Sequence, residues 1–232
     1  MKSRFLIVMI IAAIAAVHGA AQNSYELNAT RASRAFGFGE WAQASALYEL
    51  MLDERPDSAS TYSRAIVAAA VLDDSLRASS LLERAMAHGV PFDTVVDGVR
   101  SAAFSAGHAA VYPAFLTRSR AIMPWLARAI DARLLDYYAF RNDGERMTAL
   151  ATAMLEGLPG DPRYLDLLAR GRLLQADTHG AEAAWRLALA TDPSYHPALC
   201  GLGALLSRLG RDSEARELLE RAAAINPSPF LP

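Results

Sequence analysis

The chain contains 232 residues, 53% of them hydrophobic, and its formal net charge is −2. This composition is typical of a folded protein with a substantial core, not of a disordered chain. Acids and arginines alternate without long blocks of either sign, and Lys2 is the only lysine. The sequence therefore provides no basic patch for binding nucleic acid.

The first 21 residues have the pattern of an export signal. Two cations precede thirteen apolar residues, Phe5 to Val17, and small residues follow. The apolar run is short for a membrane span of about 20 residues, and the small residues before Gln22 suit a cleavage site. We predict that residues 1–21 are removed, leaving residues 22–232 as one domain without a membrane span. An uncleaved amino-terminal anchor is the alternative, and either form leaves the cytoplasm for the periplasm or the exterior.

Residues that commonly carry catalysis or bind metals do not form recognisable motifs. Cys200 is the only cysteine, which excludes an internal disulfide and a multi-cysteine metal site. Its apolar neighbours predict a buried thiol, with an intermolecular disulfide as the alternative. No histidine pair has HExxH spacing, and no nucleotide-binding or nucleophile motif is present. We expect no enzymatic activity, no cofactor and no metal.

Prolines recur at a nearly constant interval. The intervals are 33 to 35 residues long and separate Pro56, Pro91, Pro124, Pro159, Pro193 and Pro227. Each interval contains two segments with helical spacing of apolar residues and almost no strand-like alternation. A fixed period of this length predicts stacked helical hairpins, about six in number, rather than a single globular core.

The residues inside each period follow a recognisable pattern. The sixth period carries it in Leu199, Leu202, Gly203, Leu206, Gly210, Ala215, Leu219, Ala222 and Pro227. The fifth carries it in Leu165, Leu168, Ala169, Ala181, Trp185, Ala188 and Pro193. These spacings resemble the tetratricopeptide repeat (TPR) family. The resemblance implies an all-α, right-handed α-solenoid whose first helices line a concave groove that binds extended peptides or protein segments.

Small residues surround Trp185 in the fifth period. Ala181 and Ala188 lie four residues before it and three after it, so all three share one helical face. We predict that the alanines let the partner helix approach closely and that the indole ring fills the remaining space.

The third and fourth periods depart from the family pattern. Tyr112 stands where a small residue belongs, and Pro113 follows it. A proline inside a helix costs about 3 kcal/mol or more, so this helix is either kinked or begins late, with Pro113 in its first turn. In the fourth period, residues 142–144 are predicted to form the turn between two helices.

Four aromatic residues lie close together in the fourth period: Trp125, Tyr137, Tyr138 and Phe140. Core packing is the first interpretation of this cluster, and a ligand pocket is the alternative.

The groove positions of the family map onto five residues here: Phe36, Phe104, Arg163, Asp166 and Arg170. The last three are spaced three and four apart, so they share one helical face. Their alternative role is a solvated surface with an internal ion pair. The family's carboxylate-clamp subgroup uses lysine and asparagine at set groove positions. Those positions are filled differently here, so binding of acidic carboxy-terminal tails is not expected.

The charges of the last predicted helix suit an outer face left in solvent, as a terminal repeat requires. The helix before it is nearly uncharged, and we predict that the tail Ser228–Pro232 folds back to cover it. A homodimer contact or a bound partner is the alternative.

Together these observations predict an exported, non-enzymatic protein, monomeric by expectation, that binds a protein or peptide partner as a scaffold or adaptor in the cell envelope. The alternative is an all-helical enzyme or small-ligand binder with a pocket around Tyr112, Trp125 and Tyr138.

Overall fold

The computed structural model describes residues 24–226, which form twelve α-helices, one short 3-10 helix and no β-strand. The predicted signal segment and the predicted tail contact lie outside the described residues. The α-helices are α1 (24–37), α2 (Trp41–Glu54), α3 (Ala59–Val71), α4 (Ser75–Ala87), α5 (Phe92–Ser105), α6 (Val111–Ile122), α7 (Ala127–Phe140), α8 (Gly144–Gly157), α9 (Pro162–Leu174), α10 (Thr178–Thr191), α11 (His196–Arg208) and α12 (Asp212–Ile225), and the 3-10 helix is Pro124–Leu126.

Two helices fall within each proline interval, so the predicted all-α fold of helical hairpins is confirmed. Each turn inside a hairpin contains a residue with left-handed backbone geometry. In chain order these are Gly39, Asp73, Gly107, Asn142, Ala176 and Gly210, with φ between 52° and 76°. This geometry ends the first helix and is readily adopted by glycine, and less readily by asparagine or aspartate. Aspartate side chains then accept backbone N–H bonds at the start of several second helices, as Asp143 does from Arg146 at 3.1 Å.

The chain divides into two compact units after Met123. In the first, unit 1, the described residues 24–123 form α1 to α6. Helix α3 is the most buried element of this unit and contributes Tyr62 and Ile66 to its core. Its close approach to α5 depends on Gly98, because a Cβ atom there would lie 2.2 Å from the Ser63 hydroxyl.

The late start predicted as one option for the third period is confirmed. Helix α6 begins at Val111, so Pro113 lies in its first turn, where no backbone donor is needed. Tyr112 is buried, 1% exposed, and belongs to the core of unit 1.

In unit 2, the described residues 124–226 form the 3-10 helix and α7 to α12. Trp185 is 2% exposed, and Ala181 and Ala188 are fully buried, as the sequence predicts. The indole ring packs on α11 at Gly201, where a Cβ atom would lie 2.6 Å from it. The ring therefore fills the interior of this unit and requires a glycine on the facing helix.

The outer face of the last helix is polar, as predicted. Helix α12 buries Ala215, Leu218 and Ala222, while its charged side chains are exposed. Cys200 is half-buried rather than fully buried, and its sulfur lies 3.6 Å from Nε2 of His196.

The core-packing interpretation of the aromatic cluster is wrong for two of its members. Trp125 is 66% exposed and Phe140 is 72% exposed. Tyr137 and Tyr138 are half-buried, and their rings meet edge to face at 5.7 Å. Consecutive helical residues point about 100° apart, so a dense run of aromatics cannot place every ring in one core.

Candidate partner-binding groove

Unit 1 contains a groove of about 760 Å³ bounded by α1, α3 and α5. These are the first helices of its three hairpins. The size falls within the range of ligand-binding clefts in proteins. The groove is therefore the candidate functional site of this unit.

Three ring side chains that contact one another line part of the groove and form an aromatic corner. It consists of Phe36 at the end of α1, Trp41 at the start of α2, and His108 in the turn after α5. The Phe36 and Trp41 ring centroids are 5.2 Å apart and the Trp41 and His108 centroids 5.1 Å apart, both nearly perpendicular. Edge-to-face contacts of this kind hold aromatic rings in fixed positions. Phe36 and Trp41 are half-buried, so each keeps part of its surface open.

The rest of the groove is lined mainly by small side chains. Serines supply most of its hydroxyl groups: Ser33, Ser60, Ser63, Ser101 and Ser105. Ser63 is already engaged, since its hydroxyl lies 2.8 Å from the carbonyl oxygen of Ala59 and 3.1 Å from that of Val95. Ser60 and Ser101 are exposed and can bond to a bound chain.

Of the residues that the structure describes, Arg64 is the only formally charged one that lines the groove. It is exposed on α3, next to the hydroxyl of Tyr48 from α2. Burial raises the pKa of Tyr48, and the nearby Arg64 guanidinium partly offsets that rise. The hydroxyl itself is buried and has no hydrogen-bond partner of normal geometry within the described part of the chain.

The candidate groove residues of unit 2 lie on α9. Asp166 is 6% exposed, and its Oδ1 accepts a 2.8 Å bond from the indole N–H of Trp185. Burial raises the pKa of Asp166, while the bond from Trp185 and the charge of Arg170 lower it. Arg170 approaches Oδ2 at 3.9 Å. Asp166 thus links α9 to α10 through its bond to Trp185.

The two arginines of this group are exposed. Arg163 donates to Asp161, the N-cap residue of α9, at 2.7 Å. This bond and the charge of Arg163 lower the pKa of the Asp161 carboxyl, against the opposing effect of burial. Ion pairs at exposed positions contribute little to stability, so Arg163 remains free to exchange its partner.

The structure brings some of the predicted groove residues into a defined site and not others. Phe36 lines the groove of unit 1. Phe104 lies on α5 with 37% of its surface exposed, outside the set of side chains that line this groove. Arg163, Asp166 and Arg170 share α9 of unit 2. Partner binding by all five residues stays a prediction.

Sequence reasoning missed Arg64 and the small polar lining. A signal was present, because Ser60 and Arg64 are four apart on α3, as are Ser101 and Ser105 on α5. This spacing places each pair on one face of its helix.

Within residues 24–226, no three His, Cys, Asp or Glu side chains are grouped closely enough to hold a metal ion. In the same range, every helix is too short or too polar to cross a membrane.

No family model matches the sequence, and no curated protein matches it significantly. Solved structures do align with it. A TPR repeat-containing protein from Cytophaga hutchinsonii aligns with 84% of this chain and 77% of its own, at 11% identity and a TM-score of 0.49. MamA from Desulfovibrio magneticus RS-1 aligns with 90% of this chain and 98% of its own, at 16% identity and a TM-score of 0.35. The TPR2AB domain in the pHSP90 complex of yeast Sti1 aligns with 88% of this chain and 92% of its own, at 15% identity and a TM-score of 0.39.

These alignments are too distant to support an argument about function. The class of protein rests on the chain itself. Paired helices in each proline interval, together with the residue spacing inside the intervals, define a TPR-like helical-repeat protein.

Proposed function

We propose that this chain is an exported, non-enzymatic adaptor that binds an extended segment of a partner protein in the cell envelope. The observation that carries the proposal is the open groove of unit 1. Exposed serine hydroxyls such as those of Ser60 and Ser101 can bond to the backbone of an extended peptide, whose polar groups have no internal partners. The aromatic corner offers an apolar contact for one of its side chains.

The lining of the groove supports binding rather than catalysis. Within residues 24–226, His108 is the only histidine that lines the groove, and its ring packs against Trp41. Nucleophilic catalysis needs a base within hydrogen-bond reach of the nucleophile. Among the described residues, His108 makes no hydrogen bond to a groove serine.

Site-specific photo-crosslinking tests the proposed binding surface. A photoreactive residue replaces Ser101 inside the groove, and in a matched control it replaces Ser80, which is exposed on α4 outside the groove. In cells that produce the full chain, we expect a discrete crosslinked protein from position 101 and none from position 80. Equal labelling at both positions, or none at position 101, would contradict the proposal.

Export is tested separately, by the intact mass of the protein isolated from its native host. The expected mass corresponds to a chain that begins at Gln22. A mass that retains all 232 residues would favour the amino-terminal anchor.

A further inference from the structure

The charge of the groove is unbalanced. Among the described residues, Arg64 lines it, whereas no aspartate or glutamate does. Several exposed arginines of unit 1 are paired with carboxylates, such as Arg77 with Glu49 at 3.2 Å and Arg100 with Asp97 at 3.4 Å. Within the described part of the chain, no carboxylate lies within ion-pair distance of Arg64. A guanidinium in a groove without a counter-charge favours an anionic group on whatever binds there.

The surroundings of Arg64 also contain an unused polar group. The Tyr48 hydroxyl is buried beside Arg64 and has no hydrogen-bond partner of normal geometry among the described residues. A buried hydroxyl without a partner carries a desolvation cost. Because Arg64 does not donate to this hydroxyl in normal geometry, its N–H groups remain available to a bound anion.

The same groove offers an apolar contact at its aromatic corner. Phe36 and Trp41 hold each other edge to face, and both keep part of their surface open. An apolar or aromatic side chain placed there gains free energy from the surface that it buries.

We propose that the groove of unit 1 recognises an internal segment of a partner protein in which an aspartate or glutamate lies close to an aromatic or large apolar side chain. The carboxylate pairs with Arg64, and the apolar side chain packs against Phe36 and Trp41. This inference rests on the proposed peptide-binding function. Arg64 can neutralise one carboxylate. If the aspartate or glutamate stood at the carboxy terminus of its chain, the terminal carboxylate would bring a second, uncompensated charge into the groove, so we place the segment inside its chain.

The test is selection from a display library of random twelve-residue peptides flanked on both sides by Gly-Ser linkers. The full chain is compared with Arg64→Gln, with Trp41→Ala, and with the matched control Arg208→Gln, which removes an exposed arginine outside the groove. Circular dichroism verifies that each variant is folded. The parent and Arg208→Gln should enrich peptides with an acid near an aromatic residue.

Each of the two groove variants, Arg64→Gln and Trp41→Ala, should lose one feature of the enriched motif. Arg64→Gln should lose the preference for the acid and bind the selected peptides roughly tenfold more weakly, the scale of one charge-assisted hydrogen bond. Trp41→Ala should retain the acid and lose the aromatic residue. Substituting glutamine for the acid of a selected peptide should weaken binding to the parent but not to Arg64→Gln.

The outcomes separate this inference from the proposed function. If the parent enriches peptides that lack an acid, or if Arg64→Gln enriches the same acid, the inference is wrong although peptide binding stands. If free carboxy-terminal versions of the selected peptides bind more tightly than amidated ones, the segment is terminal and the inference is also wrong. If the parent enriches no motif at all, the proposed function fails with it.

Discussion

Units 1 and 2 use equivalent positions of one repeat in opposite ways. In unit 1, Tyr48 on α2 is followed 16 residues later by Arg64, the sixth residue of α3. In unit 2, Trp185 on α10 is followed at the same distance by Gly201, the sixth residue of α11. In unit 2 the glycine admits the indole ring, whose N–H bonds to Asp166. In unit 1 the arginine lies beside a phenol that has no hydrogen-bond partner of normal geometry among the described residues.

Under the proposed function, this difference assigns packing to unit 2 and binding to unit 1. Unit 2 fills its interior with a large ring and satisfies that ring's polar atom. Unit 1 retains an open groove with a cation in it. Because repeats of this class are stabilised mainly by contacts with their neighbours, one unit can keep polar groups available while the other contributes packing.

Removal of the ring that fills unit 2 should have the largest effect. Trp185→Ala should lower the free energy of unfolding by about 3–5 kcal/mol, as expected for a large buried ring, and its hydrogen bond to Asp166 is lost as well. Trp125→Ala is the control, because that ring is 66% exposed, and it should change stability far less. Denaturant unfolding of both variants measures the difference, and equal losses would contradict the assignment of Trp185 to the core.

The glycine that faces the ring should be the next most sensitive position. Gly201→Ala places a Cβ atom 2.6 Å from the indole, and overpacking of this kind costs about 1–3 kcal/mol. Alanine otherwise favours a helix over glycine by about 1 kcal/mol. Gly157→Ala is the control, since no atom beyond its chain neighbours and the nearby backbone of its own helix lies within 4 Å of the added carbon. Thermal unfolding should show the first variant less stable and the second unchanged or more stable, and a gain in both would refute the close contact.

Two hairpin turns provide a smaller, reciprocal test of backbone geometry. Ala176 in unit 2 has φ of 61°, and Gly107 in unit 1 has φ of 76°. A Cβ atom in this geometry costs about 1–2 kcal/mol. Glycine avoids that cost but loses more conformational entropy on folding, which offsets it by about 0.5–1 kcal/mol. Ala176→Gly should therefore stabilise the protein and Gly107→Ala should destabilise it, each by about 1 kcal/mol or less. Melting temperatures that shift in the same direction would show that the left-handed turns are not equivalent.

The hairpin fold could be predicted because its determinants are local in sequence. Proline spacing, helical periodicity and turn residues such as Asn142 specify where each helix begins and ends. The burial of Trp185 between Ala181 and Ala188 also followed from spacing on one helix.

The groove could be predicted only in part, because it depends on which faces of different helices meet. The family resemblance identified Phe36 but not Arg64, whose importance comes from the tyrosine and the serines that other helices place near it. The exposure of Trp125 was missed for a related reason. A divergent segment has no repeat pattern to orient its side chains, so local aromatic density gives no information about their direction.

The smallest expected effect concerns the pH dependence contributed by Asp166 in unit 2, which has no counterpart in the open groove of unit 1. Burial raises the pKa of Asp166 in the folded protein, so folding favours its protonated form. Relative to Asp166→Asn, which can still accept the bond from Trp185, the wild type should gain stability as the pH falls from neutrality towards about 3.9, the ordinary pKa of aspartate.

Other carboxylates contribute equally to both proteins and cancel in the difference. One example is Glu182, whose pKa is lowered by Arg186 and Arg211 against the opposing effect of burial. Denaturant unfolding of both proteins between pH 7 and pH 4 measures the difference in their free energies of unfolding. A wild type that instead loses stability against the variant on acidification would mean that Trp185 and Arg170 stabilise the buried carboxylate more than its desolvation costs.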